Sequence, residues 1–224
     1  MRRYGWIVIL LVAVLGGGAL VLLALDKPEQ TTLEANVMSS DLDVPAIGFA
    51  QVADEYEWQF PQDFGPHPNY QREQWEIQSG EDCEFAFTVL FDRASFVAEA
   101  FAPQRESAWA MHSIMQGQFT FTDKQAEQNS ATTLTSRVAL GLAGADEQHV
   151  WLEDWAFNWT NGTLMAAGED ARLELTLTFG DEAIPAIKDG WYAYRITGEG
   201  NGQVQYGEQS QDVACPISLI HRFQ

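Results

Sequence analysis

Cysteine and histidine are scarce in this chain: two Cys and four His in 224 residues. Cys83 and Cys215 are too few for a cysteine-built zinc module, and four scattered His show no ligand spacing, so no metal site is expected. A disulfide between the two stays open, because two is an even count but nothing in the sequence pairs them. Basic residues are also short, with 12 Lys and Arg against 32 Asp and Glu and a formal net charge of −20. Such a surface repels phosphate, which argues against nucleic acid and anionic headgroups as partners. No Gly-x-Ser-x-Gly elbow and no Gly-rich phosphate loop occur, and no cofactor is expected. Beyond residue 26 no long segment carries helical periodicity.

What is present begins with a hydrophobic run. Trp6 to Leu25 is uncharged and apolar, long enough for one helix to cross a bilayer, and Arg2 and Arg3 precede it. The expectation is an uncleaved anchor over residues 1–26, a single pass through a bacterial inner membrane, with the rest facing the periplasm. Secretion after signal cleavage is the alternative. All 32 acidic residues but only ten basic ones follow residue 25, so the exported part carries a formal −22. Residues 27–51 read as a linker, and 52–224 as one domain.

Within that domain the texture is short alternation. Phe85, Phe87, Val89 and Phe91 share one face, as do Leu173, Leu175, Leu177 and Phe179. Period two is the mark of a half-buried antiparallel strand. Further candidates are 74–79, 108–122, 132–140, 149–159, 163–167, 190–197 and 202–207, punctuated by Gly, Asn and Asp. Eight to ten such strands without a sustained helix imply an all-β barrel or sandwich.

Several side chains are candidates for chemistry. Pro66 and Pro68 stiffen a corner around His67, and Glu73 and Trp75 follow on one strand face. "HVWLEDWAFNW", read as one strand, puts Trp151, Trp155 and Trp159 on one face, either as core or as the wall of an apolar cavity. Asp154 falls between two Trp, where desolvation would raise a carboxyl pKa and suit it to act as an acid, unless it faces solvent. The pairing of Glu73 with Trp75 invites the same reading. His112 sits in an otherwise apolar strand and needs partners for its ring nitrogens.

These residues carry a resemblance. "FPQDFGPHPNYQREQWEIQSG" is similar to the opening signature of the AttH/carotenoid 1,2-hydratase family, an Asp-x-Gly-x-His-Pro corner followed by Glu-Trp-Trp-Tyr and a Gly. "FAFTVLFDR", "WAMHSIM", "RVALGLAGA" and "VWLEDWAF" resemble the later blocks in the same order, over roughly residues 56–180. Gln74 and Glu76 depart from the pattern, standing where it has Trp and Tyr. The resemblance implies a lipocalin-like antiparallel β-barrel corresponding to the first of two barrels in full-length members.

On function, the aromatic strand faces favour a domain that binds a lipophilic small molecule, an isoprenoid, carotenoid or acyl chain, with Trp75, Trp151, Trp155 and Trp159 in contact. An alternative is a hydratase or hydrolase in which Asp154 or Glu73 donates a proton while His112 or His67 orients it or activates water. Another is a non-catalytic accessory of an ABC-type permease.

Overall fold

The computed structural model describes residues 48–101, 107, 112–126 and 128–224. The expected membrane-spanning helix and nearly all of the linker lie outside these residues. Among the described residues no helix is long and apolar enough to cross a membrane.

Among the described residues eleven strands form one sheet: β1 (Arg72–Ser79), β2 (Phe85–Ser95), β3 (Ser113–Asp123), β4 (Gln128–Arg137), β5 (Ala143–Ala145), β6 (His149–Leu152), β7 (Trp155–Asn158), β8 (Thr163–Ala167), β9 (Ala171–Lys188), β10 (Trp191–Tyr206) and β11 (Gln209–Phe223). Their order is β4-β3-β2-β1-β11-β10-β9-β8-β7-β6-β5, and the ladders between neighbours are antiparallel. The protein is all-β, and the sheet curls into a nearly closed barrel. The β6–β7 hairpin packs over β3: a Cβ on Gly117 would stand 2.6 Å from Leu152 Cδ2 and 2.9 Å from the Trp155 ring. The last strand in chain order, β11, lies between β1 and β10.

Alternation explains the interior. Phe85, Phe87, Val89 and Phe91 of β2 are buried, as are Leu173, Leu175 and Leu177 of β9. Apolar side chains of both strands point into one core with Ile77, Phe119, Phe121, Phe157 and Leu219. Two hairpin turns obey known backbone rules. Asp189 and Gly190 both take positive φ, the two-residue form that matches strand twist, and Gly207 alone does so between β10 and β11. Cys83 and Cys215 are joined by a disulfide across 132 residues, which settles the pairing that the sequence left open.

The expected single strand 149–159 is a hairpin. Leu152 pairs with Trp155, and Glu153 and Asp154 form the turn, with Glu153 at φ 56°. A two-residue turn reverses the face on which alternate residues fall. Trp155 is therefore buried, while Trp151, which pairs with Ala156, lies half-buried on the other face over Gly144. The expected strand 108–122 begins at Ser113, and residues 108–111 lie outside the described set.

Candidate functional site: a buried carboxylate–histidine cluster

One end of the barrel interior is polar. Along the sheet, Arg93, Glu73, Phe223 and Tyr192 stand side by side on β2, β1, β11 and β10. The next inward row is Phe91, Trp75, His221 and Tyr194. Register alone thus sets His221 diagonally beside Glu73, within reach of its carboxylate. Both are 0% exposed.

The loop before β1 closes the cluster. Asp63 belongs to a short 3₁₀ turn, Gln62–Phe64, and Pro66 and Pro68 bracket His67. The main-chain N–H of Tyr70 donates to the His67 carbonyl at 3.0 Å, so the corner is a closed turn. His67 turns inward and stacks on Phe223, with ring centroids 3.7 Å apart at 13°. His221 stacks on Trp75 at 4.8 Å and 17°. Each imidazole therefore has one flat aromatic neighbour that limits its rotation.

Glu73 gathers the hydrogen bonds. Its Oε1 accepts from the His67 main-chain N–H at 2.8 Å and faces His67 Nδ1 at 2.9 Å and His221 Nε2 at 2.9 Å. Its Oε2 accepts from Arg93 Nη2 at 2.9 Å and Nε at 3.2 Å. Arg93 also donates to the His67 carbonyl at 3.0 Å and to Ser95 Oγ at 2.7 Å, and Ser95 Oγ meets Ser113 Oγ at 2.7 Å. The far nitrogens of both rings are engaged as well. His67 Nε2 faces Asp63 Oδ1 at 3.2 Å, and His221 Nδ1 faces the Asp63 carbonyl at 3.1 Å. Tyr56 donates its hydroxyl to the same Asp63 Oδ1 at 3.1 Å.

Burial alone would raise the Glu73 pKa. The Arg93 guanidinium and the hydrogen bonds from His221 and His67 more than reverse that, and hold the carboxyl well below the usual range. Burial draws His221 down, against the pull of Glu73. Burial, with the charges of Glu73 and Asp63 nearby, drives the Tyr194 hydroxyl far above its ordinary pKa. The environment of Glu73 is thus the reverse of the one expected from its Trp neighbour. An ion-paired, hydrogen-bonded carboxylate holds its charge and is a poor proton donor.

The other expected residues separate. Asp154 is exposed at the tip of the β6–β7 turn, so neither flanking Trp desolvates it. His112 is not inside a strand but at a bend just before β3, half-buried beside Ser113 in a cleft of about 390 Å³ that Arg93, Ser95 and Val138 also line. Trp75 and Trp155 are core, each 0% exposed. Trp151 and Trp159 lie nearer the surface, and their indole N–H groups donate to the carbonyls of Gly141 at 3.0 Å and Glu147 at 2.9 Å. Trp159 lines a second cleft of about 760 Å³ with Pro61, Phe64, Pro66 and Pro68. The structure therefore unites His67 and Glu73 and leaves Asp154 outside that cluster.

Arg93, His221, Asp63, Tyr194 and Tyr56 were not singled out from sequence. Arg93 and His221 carried a usable signal, since each is a polar residue in phase with an inward-facing apolar series: Arg93 after Phe87, Val89 and Phe91, and His221 after Ile217 and Leu219. The expectation of no metal site rested on scattered His. The fold brings His67, Glu73 and His221 together, with one ligand-type atom from each within 4.8 Å of the others.

A crystal structure at 2.00 Å of a candidate AttH protein from Nitrosomonas europaea superposes with a TM-score of 0.64 at 18% sequence identity. The match covers 78% of this chain and 58% of that one, so the present chain spans less than two thirds of its length. At that identity the likeness concerns the fold alone. No curated protein matches the sequence. The AttH-like family profile matches residues 51–219, a span that takes in the His67 corner, Glu73, Arg93 and nearly the whole barrel but stops short of His221, and the chain belongs to the AttH-like family.

Proposed function

We propose that the domain binds a lipophilic small molecule, an isoprenoid or acyl chain, in the cleft beside Trp159. The observation that carries this reading is the cleft itself, about 760 Å³, with Pro61, Phe64, Pro66, Pro68 and Trp159 as its apolar wall and Gln62, Glu147 and Thr160 as its polar one. That volume and apolar lining suit a small-molecule site. The four expected Trp then divide their roles: Trp159 makes contact, Trp75 and Trp155 form the packed support, and Trp151 braces the β5–β6 edge. The aromatic floor is rigid because Trp75 stacks parallel to Trp159 at 6.4 Å. The Cys83–Cys215 disulfide supports a working place outside the reducing cytosol, on the far side of the membrane to which residues 1–26 would tether the domain. Acid catalysis by Glu73 draws no support from the geometry, since Arg93 and two imidazoles hold it ionised.

The test is tryptophan fluorescence titration with a long polyene alcohol and a long-chain fatty acid. A saturable response is expected for at least one of them. Losing about half the contact area of one indole removes about 2 kcal/mol, so Trp159→Ala should weaken binding by at least about tenfold. A folded sample that responds to neither class overturns the reading.

A further inference from the structure

We infer that His67, Glu73 and His221 form a binding site for one divalent transition-metal ion, zinc by ligand chemistry, through His67 Nδ1, Glu73 Oε1 and His221 Nε2. The three donor atoms lie within 4.8 Å of one another, on residues that are nearly or fully buried. Two imidazoles and one carboxylate are a ligand set for zinc, with a fourth position left open, and they are poor company for the hard cations magnesium and calcium.

The outer contacts have the pattern of a metal site. Ligating histidines almost always tie their second nitrogen to a carboxylate or a carbonyl. Here His67 Nε2 faces the Asp63 carboxylate at 3.2 Å and His221 Nδ1 faces the Asp63 carbonyl at 3.1 Å. The other carboxylate oxygen of Glu73 is held by Arg93 at 2.9 Å. Every first-row donor is thus oriented from behind by a group that does not compete for the ion.

Hydrogen-bond accounting points the same way. All four ring nitrogens of the two histidines face oxygen atoms that are acceptors whenever the carboxylates are ionised. A neutral imidazole supplies only one N–H, so two neutral rings satisfy two of those four contacts. With the N–H of each ring turned to Asp63, an ion bound by Nδ1, Oε1 and Nε2 would fill the two contacts left without a proton. Around a tetrahedral zinc with bonds of about 2.0–2.2 Å, donor atoms stand ~3.4 Å apart. The two 2.9 Å contacts to Oε1 would open by about 0.5 Å, and the two nitrogens, which lie within 4.8 Å of each other, would close by up to about 1.4 Å.

A separate observation is an unpaired polar atom in the same row of the barrel. Tyr194 stands beside His221 in the same row, with ring centroids 5.4 Å apart. Its hydroxyl is buried and has no hydrogen-bond partner. An unpaired buried hydroxyl costs on the order of 1–3 kcal/mol, and water or hydroxide on the ion would pair it. The route in is short, because His67 is the one ligand with its side chain partly exposed, at 10%.

The experiment uses the full chain purified in mild detergent, stripped with a chelator and dialysed against zinc or cobalt(II). The expected result is one equivalent of either metal, a visible absorption spectrum of low-coordinate cobalt, and a rise in Tm on adding zinc. His67→Ala and His221→Ala should each weaken affinity by at least about a hundredfold. His112→Ala and His149→Ala, outside the cluster, should leave uptake unchanged. Because a cluster variant can fail to fold, the wild-type measurement decides by itself. Folded wild-type protein that takes up well under one equivalent, or metal that persists in the folded double variant His67→Ala/His221→Ala, overturns the site.

Discussion

Asp146 shows how local donors set the charge state of one carboxyl. It lies in the turn between β5 and β6, where its Oδ1 accepts from the main-chain N–H of Gln148 at 2.8 Å and of His149 at 2.9 Å, and meets the His149 ring at 2.8 Å. Burial raises its pKa, but these donors together outweigh it and lower the value below the ordinary 3.8. A depressed carboxyl contributes stability that is fully present above its unfolded value and is lost as pH falls through the folded one. The turn should therefore keep its Asp146 contacts at and above the ordinary carboxyl pKa and lose them as pH falls through the lowered one. A carboxyl-carbon NMR titration checks this, and a midpoint at or above 3.8 would refute it. At the same scale, the sequence made His67 and Glu73 legible because Pro66 and Pro68 frame a rare His near an inward strand position. His221 was not legible as a partner, because its link to Glu73 runs through strand pairing across 148 residues.

Among the elements, β2 and β9 were readable because a half-buried antiparallel strand writes its parity directly into the sequence. The hairpin at 149–158 was not, for a specific reason. Apolar residues continue on both sides of Glu153–Asp154, and the turn lacks Gly or Asn, so the alternation looks unbroken while the face reverses. Glu153 pays a conformational cost in the left-handed region, and its N–H donates to the Leu142 carbonyl at 2.6 Å, which holds the turn down. Gly117 is the matching concession on β3, since its missing Cβ makes room for Leu152 and Trp155. Gly117→Ala should destabilise the domain by about 1–3 kcal/mol through overpacking. Urea unfolding followed by tryptophan emission measures it, and a change under ~0.5 kcal/mol would show that the hairpin is free to shift.

Across the whole molecule, the Cys83–Cys215 bridge connects the approach to β2 with β11, on either side of β1. It closes a loop of more than half the chain, and such closures add about 2–4 kcal/mol. Cys83→Ser/Cys215→Ser should lower the Tm by on the order of 5–15 °C, and the wild type should fall by a similar amount under reductant. Equal melting of oxidised and reduced wild-type protein would contradict this. The barrel class was legible from composition and alternation. Strand order was not, because nothing local announces that β11 returns to lie against β1.

That placement of β11 has a consequence for the newborn chain. Translation delivers β1 to β4 before the later strands, yet one flank of β1 has no strand to pair with until β11, Gln209–Phe223, leaves the ribosome. Throughout that interval an open row of peptide groups is available to any other strand, the condition that invites intermolecular pairing. His221 arrives with the same segment, so Glu73 and Arg93 wait for it from the first half of synthesis. The full polar cluster therefore cannot assemble before β11 meets β1.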